Sequence, residues 1–140
     1  MHFERILVPV DGSPAGEEAM ELACALAGED STIYAVHIIS IERALPLDAE
    51  VETEISKAEE VLARVEAIAR AHNCQIETDL LQARDVGPAI VDEAVERNVD
   101  LILIGSGYKT HFGEFCLGDV IPHVLRNAPC RIIVDQQRTV

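Results

Sequence analysis

Short runs rich in β-branched residues alternate along this chain with longer stretches of helical period. Arg5 to Val10 (RILVPV) is apolar without a break after Arg5, as expected for a strand covered on both faces. Asp11-Gly12-Ser13-Pro14 ends it. Ser13 is placed to cap a helix, and Pro14 to occupy its first turn, where a missing N–H costs nothing. That helix, Pro14 to Ala27, sets Ala19, Met20, Ala23 and Leu26 on one side, with Gly28 to stop it. Thr32 to Ile39 (TIYAVHII) is a second strand. After the connection Ser40 to Glu50, Val51, Ile55, Ala58, Leu62, Val65 and Ala69 step by three and four through a long helix ending near Ala71. Its outer face carries Glu52, Glu54, Glu59, Glu60 and Glu66, the composition of a solvated surface.

Gln75 to Leu81 alternates as a third strand. Asp85 is placed to cap a helix from Val86 to Arg97, with Ile90, Val91, Ala94 and Val95 inward. Leu101 to Ile104 (LILI) is a fourth strand, followed by a long loop, Gly105 to Gly118. Val120 to Asn127 is a short helix that Ala128-Pro129 ends, and Cys130 to Val134 (CRIIV) is a fifth strand. Strands alternating with helices predict an α/β fold: a three-layer sandwich on a five-stranded parallel sheet, Rossmann-like and doubly wound. Ligands of such sheets sit beyond the carboxyl ends of the strands, where the strand order reverses. The turn Asp11 to Ser13 and the loop Gly105 to Gly118 are therefore the segments to examine.

Composition narrows the function. A chain of 140 residues with 49% hydrophobic content predicts one domain spanning 1–140. A net charge of −14 argues against nucleic-acid binding and against anionic membranes. No apolar run reaches the roughly 18 residues of a membrane-spanning helix. MHFERILVPV has no basic n-region and no small-residue cleavage site, so no signal peptide is expected. Cys24, Cys74, Cys116 and Cys130 are scattered without C-x-x-C spacing, which reads as free thiols in a reducing cytoplasm. Cys24 and Cys130 are expected in the core, and His37 as a packed, hydrogen-bonded histidine within its strand. His111 and His123 lack partners at metal spacing, so no metal site is expected. No residue set reads as a catalytic apparatus. There is no G-x-S-x-G elbow around Ser13 or Ser106.

The late loop has phosphate chemistry in it. Its glycines let backbone N–H groups approach an anion, and the helix after it offers a positive end. Lys109, one of only two lysines, adds a cation. Neither the Walker pattern nor G-x-G-x-x-G is met.

ILVPVDGS (6–13), AVHII (35–39), VDLILIGSG (99–107) and LGDVIPHVLRNAPCRIIV (117–134), in this order, resemble the universal stress protein family. The resemblance covers the whole chain and implies the strand order 3-2-1-4-5. Many members hold ATP through G-x2-G-x9-G-[ST] after the fourth strand, and others lack that motif. Here Gly105 and Gly118 match the outer glycines, Tyr108 stands at the middle glycine with Gly107 beside it, and Asp119 stands at the hydroxyl. The resemblance implies that Pro9 and Asp11 flank adenine and ribose, that Ile38 offers backbone contacts to the base, and that Gly105, Gly107, Lys109 and Gly118 face phosphate.

Asp119 would set a carboxylate where a terminal phosphate lies. Two like charges about 4 Å apart cost on the order of 1–4 kcal/mol. AMP or ADP is thus expected over a tightly held ATP. A Mg2+ ion would relieve the repulsion by bridging Asp119 and phosphate, though nothing in the sequence demands one. Each acid also has a purely structural alternative. Asp119 is an N-cap in its own right, and Asp11 a turn former in Asp-Gly. The resemblance further implies a homodimer joined through the edge strand Cys130 to Val134. Three functions remain: a regulatory protein that senses an adenine nucleotide without catalysis, a dimeric interaction module that binds none, or a slow ATPase. The protein partner is not legible.

Overall fold

The computed structural model describes residues 2–107, 110–111, 114–115 and 120–137, with backbone alone at 110–111, 114–115 and 137. In chain order the elements are β1 (Arg5–Pro9), α1 (Pro14–Leu26), β2 (Thr32–Ser40), α2 (Glu52–Ala71), β3 (Gln75–Ala83), α3 (Val86–Glu96), β4 (Leu101–Gly107), β5 (Thr110–His111), β6 (Glu114–Phe115), α4 (Val120–Asn127) and β7 (Arg131–Gln137). Five strands form one parallel sheet in the order β3-β2-β1-β4-β7, with helices on both faces. This is the expected α/β sandwich and strand order, β7 being the fifth strand of the sheet.

The central strands are closed from water on both faces. Ile6, Leu7 and Val8 of β1 and Leu101, Ile102 and Leu103 of β4 all have zero exposure. Alternate residues feed two cores. Ile6, Val8, Ile33 and Leu103 pack with Ala19, Met20, Val65 and Ala69 of α1 and α2, while Leu7, Val36, Ile102 and Ile104 pack with Ile90, Ala94, Ile121 and Val124 of α3 and α4. At the amino ends of the strands, the Asp100 carboxylate accepts the backbone N–H of Glu4 (2.8 Å) and of Arg5 (3.0 Å), joining the start of β1 to that of β4.

Local caps decide where helices begin and stop. The Ser13 side chain accepts the N–H of Gly16 at 3.3 Å and Pro14 opens α1, as expected. Gly28 does not stop that helix. Ala27 caps it in an extended conformation, and the Gly28 N–H is bound instead by the Ser31 hydroxyl at 2.8 Å. Asp85 precedes α3 but makes no side-chain cap. Asn73 and Asn98, with φ of 56° and 52°, end α2 and α3 in left-handed geometry.

Several sequence boundaries shift. Leu26 and Val95, expected inward, are 37% and 61% exposed. Glu93 takes an inward place on α3 instead of Val95, because Arg97 holds its carboxylate at 2.8 Å. β3 runs two residues past Leu81, and β7 begins at Arg131 and reaches Gln137. β4 extends through Gly105, Ser106 and Gly107, which the sequence placed in the loop. Inside that loop β5 and β6 form an antiparallel pair.

Candidate functional site

The order β3-β2-β1-β4-β7 reverses between β1 and β4, and there the two strands part. They pair at Ile6–Leu101 and Leu7–Ile102. β1 then runs on to Pro9, still paired with β2 at Val36, while β4 runs on to Gly107 beside β7. A crevice thus opens at the carboxyl ends of the two central strands, the position where doubly wound sheets hold ligands.

The turn after β1 enters this crevice. Asp11 is exposed, and its Oδ1 accepts the Ser13 N–H at 2.9 Å. This is the turn-forming role foreseen for an Asp before Gly, and it engages one carboxylate oxygen. Gly12 has φ of +90°, a conformation that side chains resist. Its α-carbon lies under α2: a Cβ there would meet Val61 Cγ2 at 3.0 Å and Arg64 Nη2 at 3.7 Å.

The first turn of α1 and the end of β4 are in contact. A Cβ on Gly105 would fall 2.2 Å from the Ala15 carbonyl oxygen and 2.6 Å from its carbon. The first turn of α1 therefore lies directly on β4, in space that any other residue would fill. Gly107, two residues on, is different. Among the described residues, a Cβ there would meet nothing within 4 Å. Pro9 is the half-buried last residue of β1, and Ile38 pairs with Leu81 near the end of β2. Pro9, Asp11, Ile38, Gly105 and Gly107 thus all lie at the carboxyl pole of the sheet. Tyr108, Lys109, Gly118 and Asp119 lie outside the described residues, as does Cys116.

Sequence reasoning missed the charges around the crevice. Arg64 of α2 reaches the Asp11–Ser13 turn and pairs with Glu17 at 2.9 Å. On the β7 side, Glu18 of α1 faces Asp135, the register partner of Gly105. Partial burial, then the Asp135 carboxylate, push the Glu18 carboxyl above the usual carboxylate range. Asp135 Oδ2 is buried without a hydrogen-bond partner among the described residues. Helix period alone does not signal these contacts, because both pairs cross between elements.

The pair sets a pH dependence. A carboxyl whose pKa is raised by folding stabilises fully below its unfolded pKa, and that contribution is lost as pH rises through the folded value. Glu18→Gln is therefore expected to raise the thermal midpoint slightly near pH 7.5. The gain should shrink toward about pH 4, where glutamate itself takes up a proton. Melting curves at the two pH values measure it, and an equal shift at both would remove the carboxyl-pair account.

Elsewhere, His37 is half-buried within β2, and the hydrogen bond expected of it is not made by its buried Nδ1 among the described residues. Cys24 is buried in the core as expected, while Cys130 is half-buried, its thiol pushed upward by burial and then by Asp100. At the opposite pole, a cavity of about 490 Å³ lies between His2, Asp100 and Cys130, and none of the expected site residues line it. Exposed donor atoms of His2, Glu4 and Asp30 also gather there within 4.8 Å, with His2 already paired to Asp30 at 3.1 Å. Among the described residues no helix is long and apolar enough to cross a membrane.

The molecule is a doubly wound α/β domain with a glycine-lined crevice at its switch point. It belongs to the universal stress protein family, whose family model matches residues 2–135. A universal stress protein of Methanocaldococcus jannaschii is 30% identical over 139 residues, covering 94% of this chain and 81% of that protein. The solved universal stress protein of Archaeoglobus fulgidus in complex with dAMP is 26% identical, with a TM-score of 0.72 and coverage of 96% of this chain and 98% of that one. A universal stress protein family protein of Arabidopsis thaliana with AMP bound shares the fold, at 16% identity, a TM-score of 0.73 and coverage of 96% and 92%. Adenine nucleotides are thus bound by proteins of this fold.

Proposed function

We propose that this chain is a cytoplasmic stress-type regulatory protein that binds an adenine nucleotide at the β1–β4 crevice and senses it without catalysis. The observation that carries this reading is the pair of glycines on β4. Gly105 admits the first turn of α1 to the strand, and no described residue comes within 4 Å of a Cβ on Gly107, where a phosphate would approach the backbone. A 26% identical relative solved with dAMP supports the choice of ligand.

In this reading Pro9 and the free oxygen of Asp11 flank adenine and ribose, and the backbone of Ile38 meets the base. Gly105, Gly107, Lys109 and Gly118 surround phosphate. Among the described residues the site is poor in positive charge: Arg64 is paired with Glu17, and Glu18 and Asp135 repel anions from the β7 side. With Asp119 added, few phosphates are tolerated, and AMP or ADP is favoured over ATP unless Mg2+ bridges the charges. A homodimer through β7 accompanies this reading. It is also the working surface in the second reading, an interaction module without nucleotide, which is favoured by the internal use of Asp11.

Denaturing the purified protein and analysing the supernatant should release an adenine nucleotide, and calorimetry on the emptied protein should detect AMP. No nucleotide in either assay would leave the interaction module. Asp119→Ser should tighten ATP binding about fivefold or more, the lower end of the like-charge cost. Unchanged ATP affinity would remove the charge argument while leaving AMP binding standing.

A further inference from the structure

Two thiols far apart in sequence meet in the fold. Cys24 lies in the last turns of α1 and is 8% exposed. Cys74 lies in the turn between α2 and β3, directly after the left-handed Asn73, and is half-buried. The Cys74 thiol donates to the Cys24 carbonyl at 3.7 Å and to the His72 carbonyl at 3.6 Å. Both cysteines pack against the same core, beneath α1 and α2. A disulfide needs sulfurs about 2 Å apart on α-carbons about 4.4–6.8 Å apart. The Cys74 sulfur rests against the backbone of Cys24, and the two thiols are close enough to interact.

We propose that Cys24 and Cys74 form an oxidisable dithiol that closes to a disulfide when the protein meets a peroxide. The two residues have different parts. The thiolate is the reacting form and access limits it, so the more exposed Cys74 reacts first. Burial, contact with Cys74 and the charge of Glu21 push the Cys24 thiol up to about 12, so Cys24 is the slower of the two to react and serves as the resolving thiol.

In the first step the Cys74 sulfur attacks one peroxide oxygen and the O–O bond breaks. The departing hydroxide takes up the thiol proton and leaves as water, giving a sulfenic acid. In the second step the Cys24 sulfur attacks the Cys74 sulfur and the S–O bond breaks. The leaving hydroxide takes the Cys24 proton and departs as a second water. Two thiols lose two electrons and two protons, and one hydrogen peroxide becomes two waters. A dithiol reductant reverses the bond by exchange.

The bond would tie the end of α1 to the turn before β3, closing a long loop that the unfolded chain otherwise leaves free. It lies at the opposite end of α1 from the Gly105 contact, so the inference stands whether or not a nucleotide binds.

The test treats the full chain with hydrogen peroxide, alkylates the remaining thiols, and maps peptides by mass spectrometry with and without reductant. The expected product is a Cys24–Cys74 peptide lighter by two hydrogens, reversed by dithiothreitol, with the thermal midpoint of the oxidised protein raised by several degrees. Cys74→Ser should abolish both signals. Cys24→Ala should instead drive Cys74 to sulfinic acid, since nothing then resolves the sulfenic acid. A bridge mapped to Cys116 or Cys130 overturns the proposal. So does wild-type protein that gains oxygen at Cys74 without a bridge, or that stays unoxidised while Cys130 reacts.

Discussion

Gly105→Ala is expected to lower the thermal midpoint by about 10 °C. The added methyl would lie 2.2 Å from the Ala15 carbonyl oxygen and 2.6 Å from its carbon. Both are backbone atoms, so neither turns aside as a side chain would. Overpacking a tight contact costs about 1–3 kcal/mol, and an unyielding neighbour puts this site at about 3. For a domain of this size, about 3 °C is lost per kcal/mol. Gly107→Ala is the control: with no described residue within 4 Å of its Cβ position, its stability should stay within about 0.5 kcal/mol of wild type. Under the proposed function Gly105→Ala also weakens AMP binding at least tenfold, because α1 must lift off β4. A melting curve unchanged in Gly105→Ala would mean that helix and strand are not in contact.

Arg97→Ala is expected to have a comparable effect for an electrostatic reason. Arg97 follows α3 and gathers the acids around it. Its Nε donates to Glu93 at 2.8 Å and its Nη2 to Asp79 at 3.0 Å, while Nη1 lies 3.8 Å from Glu77. The guanidinium also stacks over Tyr34, 5.0 Å from the ring centroid. The hydrogen bond to Glu93 is the main reason that its pKa is raised, against a smaller opposing cost of burial. Removing it strands the Glu93 carboxylate, whose side chain is only 7% exposed. Breaking a buried pair on one side costs about 3–5 kcal/mol, and the 29% exposure of Arg97 places this case near the lower bound. Arg97→Lys should recover little, since a point charge cannot serve three carboxylates in fork geometry. The double variant Arg97→Ala/Glu93→Leu should recover most of the loss in a denaturant titration. If it melts as low as the single variant, the stranded carboxylate is not the cause.

The architecture was legible because buried parallel strands leave unbroken apolar runs such as RILV and LILI, and the helices between them keep their period. The two segments that build the crevice were legible as interruptions of that pattern. Less visible was anything decided by a partner distant in the chain. Gly105-Ser106-Gly107 reads locally as loop, yet β7 pairs with it through Gln137 and makes it strand. Glu93 takes an inward place because Arg97, which also binds Asp79, holds its carboxylate, and Val95 faces water. The stops at Asn73 and Asn98 depend on left-handed geometry that asparagine adopts only in context. Arg64 at the turn, and the meeting of Cys24 with Cys74, depend on where α2 lands across the sheet. Of the expected site, Pro9, Asp11, Ile38, Gly105 and Gly107 fall at one pole of the sheet, whereas Lys109, Gly118 and Asp119 lie beyond the described residues.

The carboxylate of Asp100 does for the first strand what a longer ladder would otherwise do. Chain beginnings fray because their amides have water as an alternative partner. Here the amides of Glu4 and Arg5 are clasped by a side chain some ninety-five residues downstream, and Arg5 returns a carbonyl to the Asp100 N–H at 3.0 Å. Opening the amino end of β1 therefore also breaks its ties to β4 in the middle of the sheet.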